Sequence, residues 1–123
     1  MGDIVIDISG VNSVDGLVIG GIYRAEDFKR FGGGDPLSRA ESPASESVVL
    51  RFVGVPPGEY AAAVYHDGNG NRRLDLNFVG IPAEGRGYSN VATAGLAAPS
   101  FDEARFRHDG ETRLAIALRY PGQ

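Results

Sequence analysis

The sequence predicts an all-β fold, an antiparallel β-sandwich of about seven strands with one or two short helical turns. Three observations predict it. Short apolar runs, several with strict alternation, recur at Ile4–Ile8, Leu17–Tyr23, Ser47–Val53, Glu59–Tyr65 and Leu114–Leu118. Turn chemistry stands between them, at Asn12 to Gly16, Val55-Pro56-Pro57-Gly58 and His108-Asp109-Gly110. Finally, 18 glycines and 7 prolines in 123 residues call for many turns. That length suits one domain, residues 1–123, with a single hydrophobic core.

Taken in order, Ile4, Ile6 and Ile8 form one buried face of a first strand. Leu17–Tyr23 is a second, expected to pair with the first as a hairpin across Asn12 to Gly16. Residues 25–31 suit a short helical turn with Phe28 and Phe31 on one side, ended by Gly32-Gly33-Gly34. Residues 35–46 are polar with two prolines and read as an exposed, mobile loop. Ser47–Val53 and Glu59–Tyr65 are strands joined by the Pro-Pro-Gly turn. Leu74, Leu76 and Phe78 alternate as a short strand would, and residues 79–100 read as irregular. Phe101–Ala104 is one helical turn capped by Ser100, followed by a short strand at Arg105–Arg107 and a last one at Thr112–Tyr120.

Charge and composition exclude several classes. A net charge of −4 lacks the basic face that nucleic acid demands. With no cysteine there is no disulfide, thiolate nucleophile or cysteine-bound metal. No apolar run approaches the ~20 residues of a membrane helix, and no signal-peptide pattern is read in this chain.

The stretch richest in chemistry is His66 to Asp75. Asp67, Asn69 and Asn71 set oxygen donors at alternate positions, Arg73 offers its backbone carbonyl, and Asp75 follows. A curled loop with that spacing aims oxygens at one point and suits a hard cation, calcium. Phe78 stands where a closing glutamate would be wanted, and Glu84 is the candidate to supply it. The alternative stays open: Asn69-Gly70 favours a two-residue hairpin turn that satisfies itself, and Arg72 and Arg73 repel a cation. In the run from Gly85 to Asn90, glycines let backbone approach a ligand, with Arg86 and Tyr88 as contacts; an ordered connection packing Tyr88 on the sandwich edge is the other reading. His66 and His108 are the only histidines, and no serine is set in a nucleophile elbow beside them.

From Val55-Pro56-Pro57-Gly58-Glu59-Tyr60 onward the chain resembles the bacterial DUF2141 family. The family's PPG-x-YA turn is followed by hD-x-N-x-N-x-x-LD-x-N, matched by His66 to Asn77. Then come GIP-x-EG-x-G-[FY]-SN, matched by Gly80 to Asn90, and P-x-F-x-x-A-x-F, matched by Pro99 to Phe106. The resemblance implies an Ig-like or prealbumin-like sandwich, as in carboxypeptidase-regulatory domains, and a periplasmic or secreted protein. The expected function is a non-catalytic extracytoplasmic binding module, taking calcium at residues 67–75 and a protein or glycan partner through the 66–90 loops. Two alternatives remain: a purely structural accessory domain, and a transthyretin-like hydrolase. Against the hydrolase, the chain ends Arg119-Tyr120-Pro121-Gly122-Gln123 rather than in Tyr-Arg-Gly-Ser, and its first histidine is His66.

Overall fold

The computed structural model describes residues 1–11, 14–28, 35–67, 85–90 and 100–119. Within them lie eight strands: β1 (Gly2–Ser9), β2 (Leu17–Tyr23), β3 (Ser38–Pro43), β4 (Val48–Val55), β5 (Gly58–Asp67), β6 (Arg86–Tyr88), β7 (Phe106–His108) and β8 (Thr112–Ala117). One short helix, α1 (Phe101–Ala104), precedes β7. The strands form two sheets. The first has the order β4-β1-β8, and the second has β3-β2-β5-β6 with β7 also on β5. Every pairing is antiparallel except that of β1 with β8. The expected all-β sandwich is therefore the architecture observed.

Its core is made by alternation. Ile4, Ile6 and Ile8 of β1 and Leu50 and Phe52 of β4 meet Val18 and Ile22 of β2 and Ala62 and Val64 of β5 in one cluster. Gly20 lets the sheets approach, since a Cβ there would stand 2.8 Å from Leu50 Cδ1 and 3.1 Å from Phe52 Cζ. On the opposite face of the three-stranded sheet, Val5 is buried between Arg51 and Arg113, its register partners on either side. Their guanidinium groups reach along β1 to Asp3 (2.7 Å) and Asp7 (2.8 Å), and their aliphatic stems shield the valine.

Three expectations fail. β1 and β2 do not form a hairpin: β1 sits between β4 and β8, β2 sits between β3 and β5, and the chain between them changes sheets. Alternation tells which face of a strand is buried but not which strand lies beside it. The polar segment read as a mobile loop contains β3, paired with β2 over six register positions from Pro43 to Ser38. As an edge strand with exposed Arg39 and Glu41, it is held by backbone hydrogen bonds and needs little apolar content. The supposedly irregular stretch before Asn90 contains β6, whose Gly87 packs so closely on β8 that a Cβ would lie 2.5 Å from Ile116 Cγ2. Beside it, Arg86 and Arg119 exchange both backbone hydrogen bonds (2.9 and 2.8 Å) and join the sheets.

Other expectations hold. Asp27 and Phe28 amides both bond to the Arg24 carbonyl in a single turn, while Phe31 lies outside the described residues. α1 has the expected Ser100 cap as a full capping box: Ser100 Oγ accepts from the Glu103 amide and Glu103 Oε1 accepts from the Ser100 amide. The strand expected at Leu74 to Phe78 falls outside the described residues.

Candidate functional site

Asp67 is the last residue of β5, lies opposite Leu17 of β2, and has 0% of its surface exposed. The next described residue after it is Gly85, whose carbonyl accepts from the His66 amide at 2.8 Å. Asp67 and Gly85, on either side of segment 68–84, thus stand at adjacent points of the sheet. Asn69, Asn71, Arg73, Asp75 and Glu84 fall within that segment and lie outside the described residues. Of the expected cation ligands, Asp67 is the one whose surroundings are seen.

β6 then runs beside β5, with Tyr65 facing Arg86 and Ala63 facing Tyr88. Directly opposed residues share a face, so Arg86 and Tyr88 stand with Tyr65 and Asp67 on the side of the sheet away from the core. Both are buried, with 2% and 3% exposure, so neither is displayed on an open loop. Tyr88 and Tyr23 pack against Phe28, ring centroids 6.3 and 5.8 Å away, and Phe28 meets Phe101 of α1 at 6.2 Å. Burial pushes both phenols above the usual tyrosine range; at Tyr88 the Arg86 charge and hydrogen bond oppose that shift. No residue pattern in the sequence signalled Tyr23 as part of this face, because Ala63 and Tyr88, which cluster with it beside Phe28, arrive from β5 and β6.

Several motif residues have structural work. Ser89 Oγ donates to the Ala104 carbonyl at 2.5 Å and accepts from the Ala62 amide at 2.9 Å, binding the end of β6 to both α1 and β5. Asn90, at φ 58°, donates through Nδ2 to the Arg105 carbonyl. The Ser-Asn pair and the Phe-x-x-Ala helix are thus two halves of one joint. In the Pro-Pro-Gly turn, the Tyr60 hydroxyl donates to the Pro56 carbonyl at 2.7 Å and closes the turn.

The histidines are occupied and far apart. His66 Nε2 donates to the Asp15 carbonyl at 2.7 Å. His108 Nε2 faces the Val55 and Gly2 carbonyls at 3.0 and 3.2 Å, and its Nδ1 lies 2.6 Å from Thr112 Oγ1. Carbonyls only accept, so Nε2 is the donor in both rings. His108 pairs in register with Gly58, at the opposite end of β5 from His66. At about 3.3 Å per residue the two stand roughly 26 Å apart, too far to share one proton transfer.

The model of a family described as "Uncharacterized protein conserved in bacteria (DUF2141)" matches residues 6–115, and the chain belongs to that family. No curated protein and no solved structure matches it.

Proposed function

We propose that this DUF2141 protein is a non-catalytic, extracytoplasmic binding module that takes calcium where β5 runs into residues 68–84. The observation that carries the reading is Asp67, a carboxylate without solvent exposure at the very end of a strand. Burying such a group is costly unless positive charge or hydrogen-bond donors compensate it. The residues that follow supply alternate oxygens, Asn69, Asn71 and Asp75, with the Arg73 carbonyl among them. Glu84 adjoins Gly85, which the His66 amide ties to the root of the segment, so it is the natural further carboxylate. With few charged ligands and two adjacent arginines, affinity falls in the ~10⁻⁴–10⁻³ M range of extracellular modules.

The same 66–90 region would carry the contacts to a protein or glycan. The non-catalytic reading rests on the two histidines, each bound to backbone carbonyls and remote from the other. The periplasmic or secreted location rests on the family resemblance.

A second reading has its own observation. Arg86 is buried on the face that holds Asp67, one diagonal step away in the β5–β6 register. Compensation of Asp67 by Arg86 would make the region self-sufficient and the protein a structural accessory domain. A calcium titration followed by thermal melting separates the two. Under the calcium reading the melting temperature climbs through millimolar calcium, and Asp67→Asn loses that climb. A melting temperature of the wild-type protein unmoved by 10-fold more calcium than about 10⁻³ M gives the lead to the structural reading.

A further inference from the structure

We propose that two copies of this chain pair edge to edge, through β3 and β4, about one twofold axis that crosses both sheets. The two lateral sides of the sandwich are finished differently. On one side Arg86 of β6 and Arg119, beyond the end of β8, exchange backbone hydrogen bonds and tie the sheets together. On the other side β3 ends the larger sheet and β4 ends the smaller one, and the two lie next to each other across the sandwich. Among the described residues each has a single strand neighbour, β2 for β3 and β1 for β4. Alternate main-chain N–H and C=O groups of such strands point away from the sheet and are a template for another strand.

Both edges are self-complementary about a central residue. In β3, Arg39 and Glu41 flank Ala40, and both are exposed. An antiparallel copy centred on Ala40 sets Arg39 of each chain opposite Glu41 of the other. Opposite charges across a strand pair stabilise it, whereas charges of one sign would block it. A carboxylate has two acceptor oxygens, so Glu41 takes the second chain's guanidinium alongside any contact within its own chain. In β4, Val49 and Val53 stand two residues on either side of Arg51, 54% and 73% exposed. The same operation centred on Arg51 sets Val49 of each chain opposite Val53 of the other, an apolar β-branched pair. The Arg51 guanidinium is drawn back to Asp3 of β1 at 2.7 Å, so the two arginines at the axis are neutralised and turned from each other. The break in register between Gly2 and Ile4, where Gly54 stands at φ 66°, bends β4 where the paired stretch ends.

One axis serves both edges because Ala40 and Arg51 stand at one level of the sandwich. Ala40 pairs in register with Gly20 of β2. Gly20 in turn packs against Leu50 and Phe52, the residues on either side of Arg51. A twofold axis perpendicular to the sheets at that level is the symmetry of an antiparallel strand pair, and each sheet then runs on into its counterpart.

Sedimentation equilibrium in calcium-free buffer, over about 10⁻⁶ to 10⁻³ M protein, tests the pairing independently of any bound cation. The wild-type chain is expected to pass from monomer to dimer across that range. Arg39→Glu sets like charges opposite each other at both symmetric contacts and should raise the dissociation constant about tenfold. Glu41→Arg should do the same with the opposite sign of charge. The double variant Arg39→Glu, Glu41→Arg restores opposite charges across the axis and should return the constant to within about threefold of wild type. Val53→Lys, at an exposed position of the other edge, should also weaken the dimer about tenfold. Hydrogen exchange gives an independent readout: amides of β3 and β4 should exchange more slowly as protein concentration rises, and those of β6 should not. A chain that stays monomeric throughout the range overturns the proposal. A dimer unchanged by both Arg39→Glu and Val53→Lys overturns it too, because its interface lies elsewhere. A double variant no tighter than the single ones overturns the twofold register.

Discussion

A buried histidine stands at each end of β5, and the two ends are finished differently. At the Gly58 end the polar groups seen are satisfied by nearby main chain and the Thr112 hydroxyl. Tyr60 bonds to Pro56, while His108 gathers Gly2, Val55 and Thr112, and the chain turns tightly through Pro56 and Pro57 into the strand. At the Asp67 end the sheet buries formal charge instead: Asp67 and Arg86 lie on one face with almost no exposure. The first end uses ring, hydroxyl and carbonyl donors and acceptors that satisfy one another. The second holds groups whose burial needs a counter-charge or hydrogen-bond partners to compensate it. A fold that needed nothing but closure could have finished both ends in the first manner, and that contrast is why the functional reading is attached to the second.

The largest effect is expected at the charged end. Arg86→Met removes the cation from the face that buries Asp67 and should cost about 4 kcal/mol, the cost of leaving a buried charge uncompensated. The double variant Arg86→Met, Asp67→Asn should recover much of this in a denaturant-unfolding cycle. Additive losses would show that the two residues do not answer each other.

At the neutral end, His108→Leu strips the Gly2 and Val55 carbonyls and the Thr112 hydroxyl of a buried partner. Unfolding in urea should show a loss of about 2–3 kcal/mol. A loss below that of Tyr60→Phe would break the picture of His108 as the node of this end. Tyr60→Phe removes one hydrogen bond, to Pro56, and should cost about 1 kcal/mol with the ring packing unchanged.

The smallest effect lies on the exposed face of the three-stranded sheet. The Gly54 amide, and next the Arg51 side chain, bond the Asp3 carboxylate and hold its pKa below the usual aspartate value. A depressed carboxylate contributes stability above its unfolded pKa and loses it as pH falls through the folded value. Asp3→Asn should therefore melt slightly lower than wild type near neutrality. The gap should close as the pH drops below the ordinary aspartate range, about 4. A gap that persists in acid would mean that the charge of Asp3 is not what matters.

Local sequence accounts for much of this molecule. Alternation at Ile4–Ile8 and the apolar run at Leu17–Tyr23 mark strands whose inward faces are those that pack, because period-two burial is a property of the strand itself. The Ser100 cap and its Glu103 partner are equally local, three residues apart, and form as the spacing dictates. Asp67 stands out in the sequence only as the head of an oxygen-rich spacing; its complete burial at the end of β5 is not written there.

Tertiary structure alone decided the rest. The partners of β1 lie about fifty and one hundred residues away, and pairing over such distances depends on which sheet edges remain open, which no local pattern records. β3 and β6 are strands because β2 and β5 offer them backbone edges, and Ser38–Pro43 has too little apolar character to announce itself. The burial of Arg86 beside Asp67 arises the same way. A charged residue in a glycine-rich run reads as exposed until the β5–β6 register brings it onto a covered face.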